Sequence, residues 1–550
     1  MNKIRFARTA LFIVIGILLL WMVQAVLSHK WVYPVDYSDR HDTFAEYYNI
    51  TADTDVQALF IGSSHVYNSI DPMGIYKKAG ITAYSLSTAA QPVEVSRYVL
   101  EDALSKIKPS VVFLDVSLLL REGKSSSWYR LVLDNMRLNT AKVNLAAAYT
   151  RFFEESNKTD AFVSALFPLL QYHTRWSELA KIDFSINRRL NYQWKGFNPT
   201  VTSVSAILDV DLMNNVDDKL QNKEIQTDDE DENVENHTNE ENTEGLELPR
   251  ENIELLLEMK KMCDEANVDF RLFKVPSLNF SQYYTGAWTL SKSQSIKKVS
   301  EEYGIPFLDL MYDVDLALDW NTDSCDGGQH LNILGAKKIT NYMVDYMRQE
   351  CGVQPAVNRH YEEDMPSYED VMEKANLLIT SDFPSYLEAL SKQNDICVFF
   401  SVYQDMKNLL KPEGIAALNA FGLKTDFTAL KGASPYLAIV DGGKVVYEAS
   451  SNMQLEKKDA LEDGTSYRLL SSGYYAGKKS SIQIKGQEYC LNKTGLNIVV
   501  YHKISKKILD SVCFNITASG YQQAIRNASE NYIREYDMWR RRENYKQGIR

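Results

Sequence analysis

The chain has 550 residues, 45% of them hydrophobic, and a formal net charge of −13. This length predicts two or three domains with enough apolar surface for buried cores. The negative charge and the lack of a basic stripe argue against a nucleic acid as partner, because nothing would neutralise its phosphates.

The first predicted element is an apolar segment, residues 10–27, which is interrupted by Gln24 and preceded by Lys3, Arg5 and Arg8. About 20 apolar residues cross a bilayer as a helix, and the basic flank is expected to stay cytoplasmic. We therefore predict a retained single-pass anchor within residues 1–30, with the bulk of the chain outside the cytoplasm. A cleaved signal peptide is the alternative, although no small-x-small cleavage site follows the apolar run.

Residues 50–350 form the first predicted domain, in which short apolar runs alternate with helical stretches. This alternation is typical of an α/β fold with a parallel sheet and helices on both faces. The predicted strands are Val56–Ile61, Ile81–Ser87, Val111–Val116, Val268–Val275 and Ile305–Leu310, and the predicted helices are Pro92–Lys106, Ser291–Tyr303 and Leu334–Arg348.

A long insertion separates the third and fourth of these strands. Its first part, roughly residues 139–190, is aromatic-rich and helical in pattern. Its second part, residues 217–245, is acidic and too polar to bury a core, so we predict that it is disordered. A calcium site is the alternative, but no Asp-x-Asp-x-Asp-Gly loop is present.

The rest of the chain is predicted to hold a linker at 351–366, a smaller mixed α/β domain at 367–517 and a helical tail at 518–550. The Asp441-Gly442-Gly443-Lys444 sequence predicts a hairpin. Further strands are predicted at Val398–Val402, Tyr436–Val440, Tyr467–Leu470, Ser481–Ile484, Leu496–Tyr501 and Ile508–Phe514.

The six cysteines show no CxxC spacing, and we expect neither a metal nor a cofactor. An oxidising compartment would permit them to pair. Cys397 and Cys513 lie in apolar runs, as buried small side chains do. Cys325 neighbours Asp326 and is interpreted as a bystander in preference to a nucleophile.

Two short motifs indicate chemistry. The first strand ends at Gly62-Ser63-Ser64-His65, which places a hydroxyl at the carboxyl edge of the sheet, where open α/β folds bind ligands. Asp326-Gly327-Gly328-Gln329-His330 precedes the last helix of this domain. A serine becomes nucleophilic when a base removes its proton. We predict Ser64 as nucleophile, His330 as base and Asp326 as the residue that orients the base.

The oxyanion formed by such a nucleophile needs hydrogen-bond donors. The candidates are the Ser64 backbone N–H, an N–H in the stretch from Ser87 to Ala89, and the Gln91 side chain. Asp115 ends the third strand on the same edge, but an ionised carboxylate accepts hydrogen bonds and does not donate them.

Two alternatives to these residues stay open. His65 is a second possible base, but a side chain adjacent to Ser64 is expected to point elsewhere. The run Asp134-Asn135-Met136 either reaches the site from the insertion or forms a plain helix surface.

The residues Phe60-Ile61-Gly62-Ser63-Ser64 and Asp326…His330-Leu331-Asn332…Gly335-Ala336 resemble the SGNH/GDSL hydrolase superfamily over residues 50–350. The likeness is greatest to its membrane-anchored branch, which includes the D-alanine-transfer protein of teichoic-acid modification and the alginate O-acetylation proteins. The resemblance implies a flavodoxin-like α/β/α domain with Ser64, Asp326 and His330 as the triad. Two departures stand out: the Asp–His spacing is one residue longer, and Asp115 occupies the strand end where an oxyanion Asn is expected.

The second domain resembles the interleukin-like EMT-inducer domain in two segments. One is residues 496–501 with 510–514, and the other is residues 397–402 with Leu418…Phe421-Gly422-Leu423. The two halves occur in the opposite order, as in a circular permutation. The resemblance implies a compact, non-catalytic module that holds a glycan or a partner.

Together these features predict a membrane-anchored, extracytoplasmic serine acyl-ester enzyme. It would transfer or remove an acyl group, with acetyl as first choice, on hydroxyls of a cell-surface polysaccharide through an acyl-serine. The resemblance also implies a membrane partner that exports the acyl donor. The alternatives are an inert glycan-binding or scaffold protein of a cell-envelope polymer assembly, favoured by the missing Asn, and a plain secreted lipase or esterase.

Overall fold

The structure is a computed structural model, which describes residues 2–27, 43–50, 56–117, 119, 125–179, 184, 194–204, 248–278, 290–474, 477–516, 522–527, 532–533, 536, 539–540 and 543. The chain divides into two compact units, Met1–Met365 and Pro366–Arg550. The acidic segment 217–245 lies outside the described residues.

The first unit begins with α1 (Asn2–Leu27). Within it, Arg5–Leu27 is the one segment of the described chain that is long and apolar enough to cross a membrane. Its large side chains are exposed and not packed into a core, as Phe12 at 77% exposure illustrates. This helix is therefore suited to a single membrane crossing.

The first unit is built on a five-stranded parallel sheet with the order β2-β1-β3-β4-β5. All five predicted strands are confirmed, with ends displaced by at most two residues. They are β1 (Ala58–Gly62), β2 (Ala83–Ser87), β3 (Val111–Asp115), β4 (Asp269–Lys274) and β5 (Phe307–Asp309).

Helices cover both faces of this sheet, because successive apolar side chains of each strand enter different cores. Leu59 and Ile61 pack into one core, and Phe60 packs into the other. The helices are α2 (Thr43–Ile50), α3 (Ser64–Ser69), α4 (Pro72–Ala79), α5 (Val93–Leu104), α6 (Ser126–Leu133), α7 (Thr140–Tyr149), α8 (Lys158–Leu166), α9 (Pro168–Tyr172), α10 (Arg250–Ala266), α11 (Leu290–Tyr303) and α12 (Ile333–Gln349).

The three predicted helices of this unit are confirmed as α5, α11 and α12. The helical pattern predicted for the start of the insertion is confirmed by α7, α8 and α9. Helices α2, α4, α6 and α10 were not predicted. Asp71 caps α4 by accepting a hydrogen bond from Gly74 N, and Pro72 at the first position is a further helix-start signal.

The second unit contains a ten-stranded mixed sheet in which β6 is central and pairs with β7, β10 and β13. The strands are β6 (Ile396–Gln404), β7 (Tyr436–Asp441), β8 (Lys444–Ser450), β9 (Leu455–Ala460), β10 (Ser466–Gly473), β11 (Lys479–Ile484), β12 (Gln487–Glu488), β13 (Gly495–His502), β14 (Lys507–Ile516) and β15 (Gln522–Arg526). Helix α13 (Arg359–Ile379) spans the boundary between the two units, and helices α14 (Phe383–Ser391) and α15 (Pro412–Ala420) lie in the second unit.

All six strands predicted for this region are present, and the hairpin joins β7 to β8. Its Gly442 and Gly443 have φ values of 54° and 75°, as a two-residue hairpin turn requires. The helical tail predicted at 518–550 is wrong over Gln522–Arg526, because β15 extends the sheet there by pairing with β14. Residues 359–366, expected as linker, form the first turns of α13.

Candidate active site

Four of the five strands of the parallel sheet end at a polar residue, and β1 ends at Gly62, directly before Ser63. Ser87 ends β2 opposite Gly62 of β1, and Lys274 ends β4 opposite Asp309 of β5. Asp115 ends β3. The strand order reverses between β1 and β3, which makes a crevice at this edge the expected ligand site of an open α/β sheet.

Gly62 permits a close approach of two strands at the start of this crevice. A Cβ placed on it would lie 2.5 Å from Asp115 Cβ and 2.6 Å from Val66 Cγ2. A side chain at position 62 would therefore push β1 away from β3. The glycine allows the turn from β1 into α3 to stay close to the sheet.

Ser64 is the first residue of α3, where backbone N–H groups have no intrahelical acceptor. The preceding Ser63 stands at the cap position, but its hydroxyl makes no capping hydrogen bond and instead bonds the side chains of Asp115 and His65. The Ser64 N–H thus belongs to an open first turn. Ser64 itself is partly exposed, so that a substrate can reach its hydroxyl.

Ser64, His330 and Asp326 form one hydrogen-bonded chain. Ser64 Oγ lies 2.7 Å from His330 Nε2. His330 Nδ1 lies 2.5 Å from Asp326 Oδ2, and the His330 backbone N–H donates to Asp326 Oδ1 at 2.8 Å. The structure therefore brings together the three residues predicted as nucleophile, base and orienting carboxylate.

The extra residue between Asp326 and His330 is accommodated by two glycines. Gly327 and Gly328 have φ values of 84° and 113°, in the left-handed region that glycine adopts without strain. Ser324 Oγ accepts a hydrogen bond from Gly328 N at 2.5 Å and donates to the His330 carbonyl at 3.0 Å. The loop thus turns tightly enough for the His330 ring to meet the Asp326 carboxylate.

Asn332 fixes the end of this loop against α12. Its side-chain oxygen accepts from Leu334 N at 2.9 Å, which caps the helix. Its amide nitrogen donates to the carbonyl of Thr322 at 2.7 Å. Because Asn332 is fully buried and bonded at both ends, the loop has a rigid support on the helix side.

The charge on Asp326 fixes the tautomer of His330. Burial alone would raise the pKa of Asp326, but its hydrogen bonds to His330 and the imidazole charge outweigh that effect, and the pKa is lowered. An ionised carboxylate at Nδ1 holds the proton there and leaves Nε2 to accept the Ser64 proton. The His330 side chain is 18% exposed.

A second, buried network lies beneath this chain. Ser63 Oγ lies 3.2 Å from Asp115 Oδ2 and 3.1 Å from His65 Nδ1. Burial raises the pKa of Asp115, and burial lowers the pKa of Lys274 to about 8 against the attraction of nearby carboxylates. Burial, Lys274 and His330 together hold the pKa of His65 well below its usual value.

The His65 ring is therefore neutral, and it packs on the ring of His330. The His65 and His330 rings stack with their centroids 5.1 Å apart. A hydrogen bond joins His65 to Ser63, whereas His330 bonds Ser64. This geometry favours His330 over His65 as the base for Ser64. Sequence analysis overlooked Lys274, although a lysine that ends an apolar strand was a usable signal.

The side chains of the other oxyanion candidates are engaged in local hydrogen bonds. Ser87 Oγ shares a hydrogen bond with Ser85 Oγ at 2.9 Å. Gln91 is buried, donates from Nε2 to Ser96 Oγ at 3.0 Å and accepts from Thr88 Oγ1 at 3.0 Å. The two candidate side chains are thus occupied, which leaves the backbone N–H groups of Ser64 and of residues 87–89 as the candidate donors.

Two further residues considered as candidates are Asp134 and Cys325. Asp134 binds Arg130 and Tyr172 within the helical insertion, and its side chain is 8% exposed, so it is a largely buried ion-pair partner and not a plain helix surface. All six cysteines are free, and burial raises the pKa of the Cys325 thiol to about 12, which favours the bystander interpretation. Across the described residues, no group of three or more His, Cys, Asp or Glu side chains is arranged to hold a metal ion.

The second unit contains another Ser–His–Asp array that the sequence motifs do not indicate. His502 Nδ1 lies 2.7 Å from Ser505 Oγ, and His502 Nε2 lies 2.8 Å from Asp395 Oδ2. His502 is 1% exposed, at the end of β13. This array is a natural reference for the one around Ser64.

No family model matches the chain, and no curated protein was found to match it. The function of the site is accordingly inferred from its own geometry.

Proposed function

We propose that the protein is a membrane-anchored serine acyl-ester enzyme with Ser64 as nucleophile. It transfers or removes an acyl group, with acetyl as first choice, on hydroxyls of a cell-surface polysaccharide. The hydrogen-bonded chain from Ser64 through His330 to Asp326, open to solvent at the carboxyl edge of the sheet, is the observation that carries the proposal.

In the first step, Ser64 Oγ attacks the carbonyl carbon of the acyl donor and gives its proton to His330 Nε2. Asp326 stabilises the imidazolium that forms. The tetrahedral oxyanion accepts a hydrogen bond from the Ser64 N–H in the first turn of α3. Collapse of this intermediate expels the donor's leaving group, which takes the proton from His330, and leaves an acyl-serine.

In the second step, the incoming hydroxyl gives its proton to His330 and attacks the acyl-serine. A sugar hydroxyl as acceptor produces a transferred ester, and water produces hydrolysis. Ser64 recovers its proton when the second tetrahedral intermediate collapses. The same residues therefore serve a transferase or an esterase, and the acceptor decides between the two.

Three features support the proposed likeness to SGNH hydrolases. The β2-β1-β3-β4-β5 order is that of flavodoxin-like sheets, and the serine follows the first strand. The Asp–His pair precedes the last helix of the domain. The longer spacing of that pair is absorbed by Gly327 and Gly328, so this departure does not separate Asp326 from His330.

The preference for a cell-surface polymer rests on the anchor and on the family resemblance. A helix suited to one membrane crossing, with its basic flank in the cytoplasm, would place the site outside the cell. An anchored enzyme can meet a donor exported by a membrane partner, which favours transfer over hydrolysis. We assign the second unit a supporting role in holding the glycan or the partner.

A fluorophosphonate serine probe tests the proposal on the full chain in detergent micelles. We expect labelling of the wild type, its loss in Ser64→Ala, and its retention in Ser505→Ala, the matched serine of the second array. Incubation with p-nitrophenyl acetate should also acetylate the Ser64 peptide. A folded wild-type protein that resists both reagents would overturn the enzyme proposal in favour of the inert glycan-binding scaffold.

A further inference from the structure

The last turn of α1 is covered by a short segment of the first unit. Leu27 is buried there, whereas the residues of α1 from Arg5 to Val23 are almost all exposed. Arg175 Nη1 donates to the Leu27 carbonyl at 2.7 Å, which satisfies a terminal carbonyl of the helix. The contacts come from α9 and from the 3₁₀ turn His173–Ser177.

The same segment presents large apolar side chains to its surroundings. Phe167 is 48% exposed, Leu170 is 51% exposed and Trp176 is 73% exposed. Scattered exposed hydrophobic residues are ordinary on a soluble protein. Three within ten residues, beside the end of an apolar helix, are instead typical of a surface that enters a membrane interface, where tryptophan is enriched.

The length of α1 sets the depth of this surface. The 18 residues from Ala10 to Leu27 form its apolar part. At about 1.5 Å per residue they span roughly 27 Å, close to the ~30 Å of a hydrocarbon core. The whole apolar stretch is therefore needed for one crossing, and Leu27 reaches the far face of the bilayer. The segment bonded to Leu27 must lie at that same depth.

We propose that residues 167–177, here called the interfacial foot, rest in the lipid headgroup region of the membrane that α1 crosses. Phe167, Leu170 and Trp176 insert between headgroups, and Arg175 ties the foot to the helix end. The foot holds the first unit against the bilayer surface by a second attachment beside the anchor. The proposal rests on the membrane anchoring under Proposed function and not on the chemistry of Ser64.

Lipid photolabelling tests the foot in the full chain reconstituted into phosphatidylcholine–phosphatidylglycerol vesicles. The probe is a phosphatidylcholine with a diazirine near its headgroup, and adducts are mapped by mass spectrometry. We expect adducts in α1 and in the foot, above the level at Val357, which is 92% exposed elsewhere on the first unit. In the Leu170→Asp/Trp176→Asp variant, adducts in the foot should be lost while those in α1 persist.

Failure of the interfacial foot and failure of the membrane anchoring would give different patterns of lipid adducts. Adducts in α1 together with a foot no more labelled than Val357 would overturn the foot and leave the anchor intact. A chain without adducts in α1 would overturn both the foot and the proposed anchoring. Neither result bears on fluorophosphonate labelling of Ser64, which is measured separately in detergent.

Discussion

The two units each contain a Ser–His–Asp array with similar hydrogen-bond lengths. In the first unit the serine–histidine and histidine–aspartate distances are 2.7 and 2.5 Å, and in the second they are 2.7 and 2.8 Å. The ring nitrogens are used in opposite order, because Ser64 bonds Nε2 of its histidine whereas Ser505 bonds Nδ1. Distance alone does not tell a reactive array from a structural one.

Access and local connectivity do separate the two arrays. Tyr536 and Trp539 cover the His502 ring edge-on, at centroid distances of 5.1 and 5.4 Å. The Ser505 backbone N–H also donates to His502 Nδ1 at 3.0 Å, so this serine belongs to a turn that caps the ring. Ser64 instead lies 266 residues before His330 in the sequence, and it is the first residue of α3. On this comparison we propose a chemical role for the first array and a stabilising role for the second.

The largest effect we expect comes from replacing each histidine with alanine. His330→Ala should slow fluorophosphonate labelling by ~10²–10⁴-fold, because it removes the general base. His502→Ala should leave labelling unchanged and lower the free energy of unfolding of the second unit by about 2–4 kcal/mol, since it empties a buried, hydrogen-bonded site. Labelling rates and hydrogen exchange of the β13 amides measure the two effects.

Loss of labelling in the His502→Ala variant would contradict the proposed roles of the two arrays. If His502→Ala, with the first unit still folded, abolished labelling, the second array would be part of the chemistry. Equal loss of labelling in both variants would indicate general unfolding, which circular dichroism detects.

The aspartates provide a finer test. Asp326→Asn should slow labelling, but by roughly one to two orders of magnitude less than His330→Ala, because the base stays in place with an unfixed tautomer. Asp395→Asn is the matched control and should leave the labelling rate at the wild-type value. An Asp326→Asn protein labelled as fast as the wild type would show that His330 needs no orienting carboxylate.

Acid should expose the structural role of Asp395. Its hydrogen bond to His502, with the nearby Lys374 charge, holds its pKa at about 2 against burial. This folded pKa lies below the unfolded value of about 4. The ionised Asp395 therefore stabilises the fold fully above about pH 4, and this stabilisation is lost as the pH falls from about 4 toward 2.

We expect this contribution to be about 1 kcal/mol, since a third of the side chain is exposed to solvent. Exchange of the β13 amides should differ between wild type and Asp395→Asn near neutral pH. The difference should shrink below about pH 4. A difference that persisted unchanged in acid would mean that the carboxylate charge is not the stabilising element.

Sequence patterns predicted the parallel strands well because each is a short apolar run whose side chains are buried on both faces of the sheet. They also predicted the Ser64, Asp326 and His330 contact, since topology brings strand ends to one edge. Patterns did not predict the burial of Lys274 near Asp115, the hydrogen bond from Ser63 to Asp115, or the Ser505–His502–Asp395 array. Those arrangements depend on which side chains become buried together, and no single-chain periodicity encodes that. Strand β15 escaped prediction because polar Gln522 and Gln523 pair at a sheet edge.

For Gln91, the sequence predicts a side-chain donor to the oxyanion, whereas the structure shows that its amide is already hydrogen-bonded. We therefore expect its replacement to have the smallest effect on the labelling rate. Loss of an oxyanion donor costs ~10²–10³-fold in rate. Because the Gln91 amide bonds Thr88 and Ser96, the latter in α5, Gln91→Ala should slow labelling less than about tenfold and cost about 1 kcal/mol of stability. Ser96→Ala, which removes the acceptor alone, is the control. A 100-fold slower Gln91→Ala protein with wild-type stability would instead make Gln91 a donor to the oxyanion, as ~10²-fold losses do elsewhere.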